Sequence, residues 1–161
     1  MPELVISDTS PLFYLHRLKQ LDLLKHLYQR ITIPQAVVDE LKAGRDVGED
    51  TPDVTAYNWI EIRPVRVPEL IKLVTDLGAG EAQVLALALE EPGSLTIVDD
   101  NFARKVAGAR GIRVTGTAGI LLKAKEKKYI SAVTPLLDNL RVMNFRLSDT
   151  VIASILKLAR E

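Results

Sequence analysis

The sequence predicts an α/β fold built on a mostly parallel sheet. Three observations predict it. Short apolar runs rich in Leu, Val and Ile alternate with longer segments of helical periodicity, which is the pattern of βαβ units. The runs at 4–7 and 95–98 read as short buried strands. Both are followed by an Asp, Asp8 or Asp99, and then by a helix-forming segment.

Taken in order, residues 4–7 form the first strand and Asp8-Thr9-Ser10 a polar turn. Pro11 suits the first position of a helix. Helical pieces follow near 11–17 and 21–28, then a short strand at 31–33. Pro34 opens a helix to about Lys42, and the Gly-, Asp- and Glu-rich stretch 44–52 reads as a loop. A weaker helix at 53–58 and a strand at 59–63 come next. Residues 70–76 are helical, Gly78-Ala79-Gly80 is a break, and 81–91 is a strong helix that Pro92-Gly93 ends. The remainder reads as strand 95–98, helix 101–110, strand 112–115, and helices 118–127, 135–140 and 149–160.

At 161 residues, 47% hydrophobic and 26% charged, the chain has the composition of one soluble globular domain, 1–161. It has no cysteine, which excludes disulfides, zinc–thiolate sites and thiol nucleophiles. His16 and His26 are too few for a His-rich metal site and lie among helical leucines, as surface or packing residues do. No basic region followed by a long apolar stretch opens the chain, and no uncharged apolar run approaches the ~18 residues of a membrane span. A cytoplasmic protein without a membrane partner is expected. Net charge is zero but uneven: residues 1–103 carry 9 Lys/Arg and 17 Asp/Glu, whereas 104–128 carry 8 Lys/Arg and only Glu126. An acidic body beside a basic band suits a metal site next to a polyanion track, and equally a solvated helix face.

Four acids carry the chemistry: Asp8, Glu40, Glu81 and Asp99. On a helical wheel Glu40 falls with Ala36 and Val37, while Asp39 shares the polar side with Gln35 and Lys42. Glu81 falls with Val84, Leu85 and Ala88, opposite Gln83 and Glu90. Asp8 and Asp99 end strands, where ligands of open parallel sheets bind. Each acid also has a plain structural role open to it: N-caps for Asp8 and Asp99, a first-turn cap for Glu81, a salt bridge for Glu40. Asp100 is either a fifth acid at the rim or the cap of helix 101–110. Four inward carboxylates repel one another, and burial penalises each, so a cluster needs a cation. Oxygen-only ligands favour Mg²⁺ or Mn²⁺. Such an ion activates water and neutralises a phosphate leaving group, so phosphodiester hydrolysis is the natural chemistry.

Competing motifs fail. There is no Gly-Lys-Ser/Thr of a phosphate loop. Gln83 stands where a dinucleotide fingerprint needs its third glycine, and Ser10 where an aspartyl phosphatase needs a second Asp.

The segments Asp8-Thr9-Ser10-Pro11-Leu12, Val38-Asp39-Glu40-Leu41, Gly80-Glu81-Ala82 and Val98-Asp99-Asp100-Asn101-Phe102-Ala103-Arg104 together resemble the PIN domain. The likeness is nearest to the short prokaryotic branch related to VapC-like toxins, with 114–122 and 145–149 in keeping, and it covers nearly the whole chain. It implies a three-layer α/β/α sandwich and a Mg²⁺/Mn²⁺-dependent ribonuclease, often the toxin of a type II toxin–antitoxin pair. Such toxins are usually homodimers held in check by a small antitoxin. It implies Asp8, Glu40, Glu81 and Asp99 as the catalytic, metal-binding acids, Ser10 as a residue ordering the site, and Phe102 as packing. Glu81 stands where many PIN domains have Asp. Arg104 is the leading candidate for an RNA phosphate contact, and Thr115 and Thr117 are further candidates for touching substrate, Thr117 equally for a helix cap. A non-catalytic interaction module, or a phosphatase or nuclease acting on other phosphate esters, is the alternative.

Overall fold

The computed structural model describes residues 4–72 and 76–161. Its centre is a five-stranded, all-parallel sheet of β1 (Val5–Ser7), β2 (Ile31–Pro34), β3 (Ile60–Arg63), β4 (Leu95–Ile97) and β5 (Arg113–Thr115), in the order β3-β2-β1-β4-β5. Every residue of β1, β2 and β4 is buried, because helices cover both faces of a parallel sheet and leave no side for water. The edge strands β3 and β5 are only partly covered.

The helices are α1 (Thr9–Arg17), α2 (Leu23–Tyr28), α3 (Gln35–Asp46), α4 (Glu69–Lys72), α5 (Ala79–Glu90), α6 (Asn101–Ala109), α7 (Thr117–Glu126), α8 (Thr134–Val142) and α9 (Asp149–Ala159). Helices α3 and α5 pack on each other and onto the sheet, α5 reaching β1, β2 and β4. Helices α2, α7 and α9 form a second group, and α1 touches both α3 and α7. This is the expected α/β/α sandwich. The core is dominated by Leu, Ile and Val, with Ile6, Leu12, Ile33, Val37, Val84, Ile97 and Ile120 fully enclosed.

Several boundaries move relative to the sequence reading. Helix α1 begins at Thr9, so Pro11 sits a turn inside the start, where its missing N–H is still harmless. Helix α3 continues through Gly44 to Asp46, and Ala79 and Gly80 belong to α5 rather than to a break. Glycine in a helix costs about 1 kcal/mol relative to alanine, too little to override packing. The weak helix at 53–58 is a single 3₁₀ turn, Val54–Ala56. Of the helix expected at 70–76, α4 ends at Lys72 and residues 73–75 lie outside the described ones.

The topology sets the site. The chain steps outward from β1 to β2 to β3, then returns to place β4 on the other side of β1. The crevice beyond the carboxyl ends of β1 and β4 is the switch point where ligands of open parallel sheets bind. Asp8 and Asp99 follow those two strands.

Candidate active site

Asp8 follows β1 directly, in extended conformation, and its N–H donates to the Ile97 carbonyl at 3.0 Å, fastening it to β4. It is only 5% exposed. Burial first, and then repulsion from Glu81, Glu40 and Asp99, together push its carboxyl up from the ordinary 3.8 to about 7, against the Thr9 N–H. The charges of the other three sequence-selected acids therefore all reach Asp8 at the switch point. Among the described residues no ion pair includes any of them.

Glu40 reaches the crevice from α3. Its Oε1 accepts the Gly80 N–H at 2.8 Å and its Oε2 the Thr9 hydroxyl. A Cβ on Gly80 would lie 2.9 Å from Glu40 Oε1 and 3.0 Å from Asp8 Oδ1, so any larger residue would push a carboxylate aside. The helical wheel placed Glu40 on the correct side but overstated its burial: the side chain is exposed, because it spans an open mouth. The salt bridge considered for it is replaced by two neutral donors. Gln83, assigned to a polar face, instead accepts the Ala36 N–H at 3.0 Å and so locks α5 to the N-terminus of α3. Thr9 and Gln83 are site residues the sequence reading missed. Thr9 lay in the quoted Asp-Thr-Ser turn, but nothing in the sequence pairs it with a residue 31 positions away.

Asp99 is half-buried and held from two sides. Ser10 Oγ donates to its Oδ2 at 2.8 Å, and Thr117 donates its N–H to Oδ1 and its hydroxyl to Oδ2, both at 2.7 Å. Thr117 is 0% exposed and its hydroxyl is engaged by Asp99, and Gly116 stands at the N-cap of α7. Thr115 and Arg104 line the cleft beside Asp99. Arg104 Nη1 donates to the Val98 carbonyl at 3.1 Å. A Cβ on Gly116 would meet Arg104 Nη1 at 2.8 Å and Asp99 Oδ1 at 2.9 Å, so a larger residue there would displace one or both side chains.

Glu81 is half-buried at the first turn of α5, and its Oε2 accepts the Gly78 N–H at 3.0 Å. It therefore caps its own helix. Burial raises its pKa, against that N–H, and Asp100 and Glu40 add to the rise. Asp100 caps α6 through the Ala103 N–H at 2.9 Å, and its charge adds to the rise of the Glu81 pKa. For both acids the structural and the electrostatic roles coexist.

A family model described as PIN domain matches residues 4–161. The chain belongs to the PIN domain family. No curated protein matches it. PIN domains are generally nucleases, and in this one Asp8 and Asp99 lie at the carboxyl edge of the sheet.

The donor set of this PIN domain is oxygen only, which suits a hard divalent cation. Among the described residues, no group of three or more acids is spaced to close on one ion. Mg²⁺ is ordinarily held by one or two carboxylates and completed by water and substrate phosphate, so that spacing still fits it. The Gly80 cradle, with Asp8 and Glu40 oxygens around one Cβ-sized space, is the tightest convergence.

Other sequence candidates fall outside the PIN site. Phe102 is 39% exposed rather than packed. His16 pairs with Asp50 at 2.9 Å and His26 stacks on Tyr129. The basic band is not one track: Lys125 pairs with Glu161, and Lys123 lies over the Tyr28 ring. Among the described residues, no helix is long and apolar enough to cross a membrane.

Proposed function

We propose that this PIN domain is a Mg²⁺- or Mn²⁺-dependent endoribonuclease. The observation that carries the reading is Asp8: a buried carboxylate facing three others, with one N–H and no cationic side chain to offset them. A divalent ion would offset that charge. When bound it supplies positive charge for the phosphate and acidifies water.

The chain's own residues set up that chemistry. Asp8 and Asp99 would hold the ion, Asp99 oriented by Ser10 and Thr117. Glu40, fixed by Gly80 and Thr9, and Glu81, fixed by Gly78, would complete the site or orient the attacking water. Asp8, its pKa raised to about 7, competes with a proton for the ion near neutral pH, so loading would release that proton. Arg104 would take a phosphate oxygen.

The test is a cleavage panel of single-stranded RNA, structured RNA and DNA with Mg²⁺, Mn²⁺ or EDTA. RNA cleavage that EDTA and Asp8→Asn both abolish is expected; cleavage unaffected by either rejects the reading. A toxin role adds a prediction: expression should arrest growth of its host cell, and Asp8→Asn should not. The lack of a ready three-acid group favours one second reading, a non-catalytic interaction module. Calorimetry separates the two, since no Mn²⁺ binding at millimolar concentration would favour the module.

A further inference from the structure

Helices α3 and α5 cap one another. The first N–H groups of a helix have no acceptor within it. On α5, that of Gly80 goes to Glu40 Oε1 of α3 at 2.8 Å. On α3, that of Ala36 goes to Gln83 Oε1 of α5 at 3.0 Å. Neither helix supplies these acceptors from its own N-cap. Pro34 stands at the N-cap of α3 with no acceptor on its ring, and Gly78, at that of α5, has no side chain.

The two bonds fix more than either would alone. As α5 advances from Gly80 to Gln83, α3 runs back from Glu40 to Ala36, so the helices are antiparallel here and joined at both ends of one turn. With the Gly80 bond alone, α3 is free to pivot about Glu40, a long and exposed side chain with much rotamer freedom to lose. Gln83 removes that pivot. Glu40 lines one crevice with Asp8 and Glu81, and Glu81 stands on the same α5 turn as Gly80 and Gln83. The register of α3 on α5 therefore sets how Glu40 meets the other two acids.

We propose that Gln83 is a positioning residue for the acidic crevice: by capping α3 it sets the register of α3 on α5 and so holds Glu40 against Gly80 and beside Asp8. Gln83 does not line the crevice and acts through Glu40. The inference rests on the metal-dependent ribonuclease reading and deepens it, adding a residue on which the geometry of the site depends.

The test compares Gln83→Met with Gln83→Glu. Met fills the same volume without an acceptor, so a role in packing alone is kept. Glu keeps an acceptor at the same reach, and a carboxylate suits a helix N-terminus. Gln83 is only half-buried, so both variants are expected to fold. Hydrogen exchange of the metal-free proteins is followed by NMR at the amides of Ala36 and Gly80, with the amides of α9 as reference. Gln83→Met should speed exchange about tenfold at both, the weight of one hydrogen bond, and Gln83→Glu should restore both. Mn²⁺ affinity in calorimetry should fall about tenfold in Gln83→Met and recover in Gln83→Glu. RNA cleavage should follow, with a loss of about tenfold that falls on kcat rather than KM, since a misplacement of ~1 Å costs up to about a hundredfold.

If Ala36 exchanges faster in Gln83→Met while Gly80 does not, the cap is local and the proposal is overturned. It is overturned equally if Gln83→Met binds Mn²⁺ and cuts RNA as the wild type does, and in both cases the ribonuclease reading stands. If the wild type binds Mn²⁺ but cuts no RNA, the ribonuclease reading fails, while Mn²⁺ affinity and the Gly80 amide still decide the role of Gln83. If the wild type neither binds Mn²⁺ nor cuts RNA, both fall together.

Discussion

Two carboxylates in this PIN domain occupy opposite environments. Glu161 accepts from Lys125 Nζ at 2.8 Å, from the Thr134 hydroxyl at 2.6 Å, and from the N–H groups of Val133 and Thr134, so it ties the chain end to α7 and caps α8. Those donors pull its pKa down from 4.5 to about 2. Asp8 is buried, has one opposing N–H and faces three like charges, and its pKa rises to about 7. The fold has cations and donors to give, and it gives them to the C-terminal clamp. Asp99 lies between the extremes, held by three neutral donations and no cation. A carboxylate serving only stability is satisfied by the protein; one left unsatisfied in a crevice is placed for something the protein does not itself provide.

The largest expected effect comes from removing the unsatisfied charge. Asp8→Asn should lower RNA cleavage at least roughly a hundredfold, the scale of losing one electrostatic group from a reactive centre. The same change should raise the thermal midpoint of the metal-free protein at pH 8, because a neutral amide escapes the burial penalty. The rise from 3.8 to about 7 corresponds to on the order of 4 kcal/mol. A variant that melts below wild type at pH 8 in EDTA would contradict the contrast with Glu161.

The sign of the pH dependence sharpens it. Asp8 holds its proton more tightly folded than unfolded. Its penalty is absent below about 3.8, grows as pH rises towards about 7, and is complete above that. Glu81 contributes with the same sign. Glu161 works the other way: its stabilisation is present above about 4.5 and is lost as pH falls towards about 2. Stability in EDTA should therefore peak near the overlap, around pH 4–5, and decline towards pH 8. Mn²⁺ should restore more stability at pH 8 than at pH 5, and thermal unfolding across that range with and without the ion measures both.

Thr117 probes the intermediate case. Thr117→Val removes one donor to a carboxylate and should cost about 1.5–3 kcal/mol in stability, weaken Mn²⁺ binding and lower cleavage about tenfold. Thr117→Ser keeps the hydroxyl and should recover Mn²⁺ affinity in calorimetry, which a purely packing role would not require. The smallest effect is expected of Glu161→Gln. It should lower the thermal midpoint by no more than a few degrees, flatten the acid limb of the stability profile, and leave cleavage as in wild type.

Much of this arrangement was legible from residue order. Apolar runs ending in Asp8 and Asp99 identify two buried parallel strands with acids at their carboxyl ends, since periodicity and strand-end position are local properties. The side of α3 that bears Glu40 follows from 100° per residue. Its exposure does not, because burial depends on what stands opposite, and opposite Glu40 is an open crevice. Thr9, Gln83 and Thr117 were passed over or misassigned for one reason: their partners are 31, 47 and 18 residues away, and a hydroxyl or an amide gives no sign in sequence of which distant group it will meet.

Sequence by itself determined the alternation of strands and helices, the absence of thiol chemistry and the identity of the acids, because each follows from composition or short-range pattern. Tertiary structure alone decided that β4 lies beside β1, that Gly80 and Gly116 stand where a Cβ would come within 3 Å of a carboxylate oxygen, and that the lysines of α7 are spent on Glu161 and Tyr28 rather than on the crevice. Those outcomes depend on which surfaces meet when the chain closes, and packing between distant segments leaves no local mark.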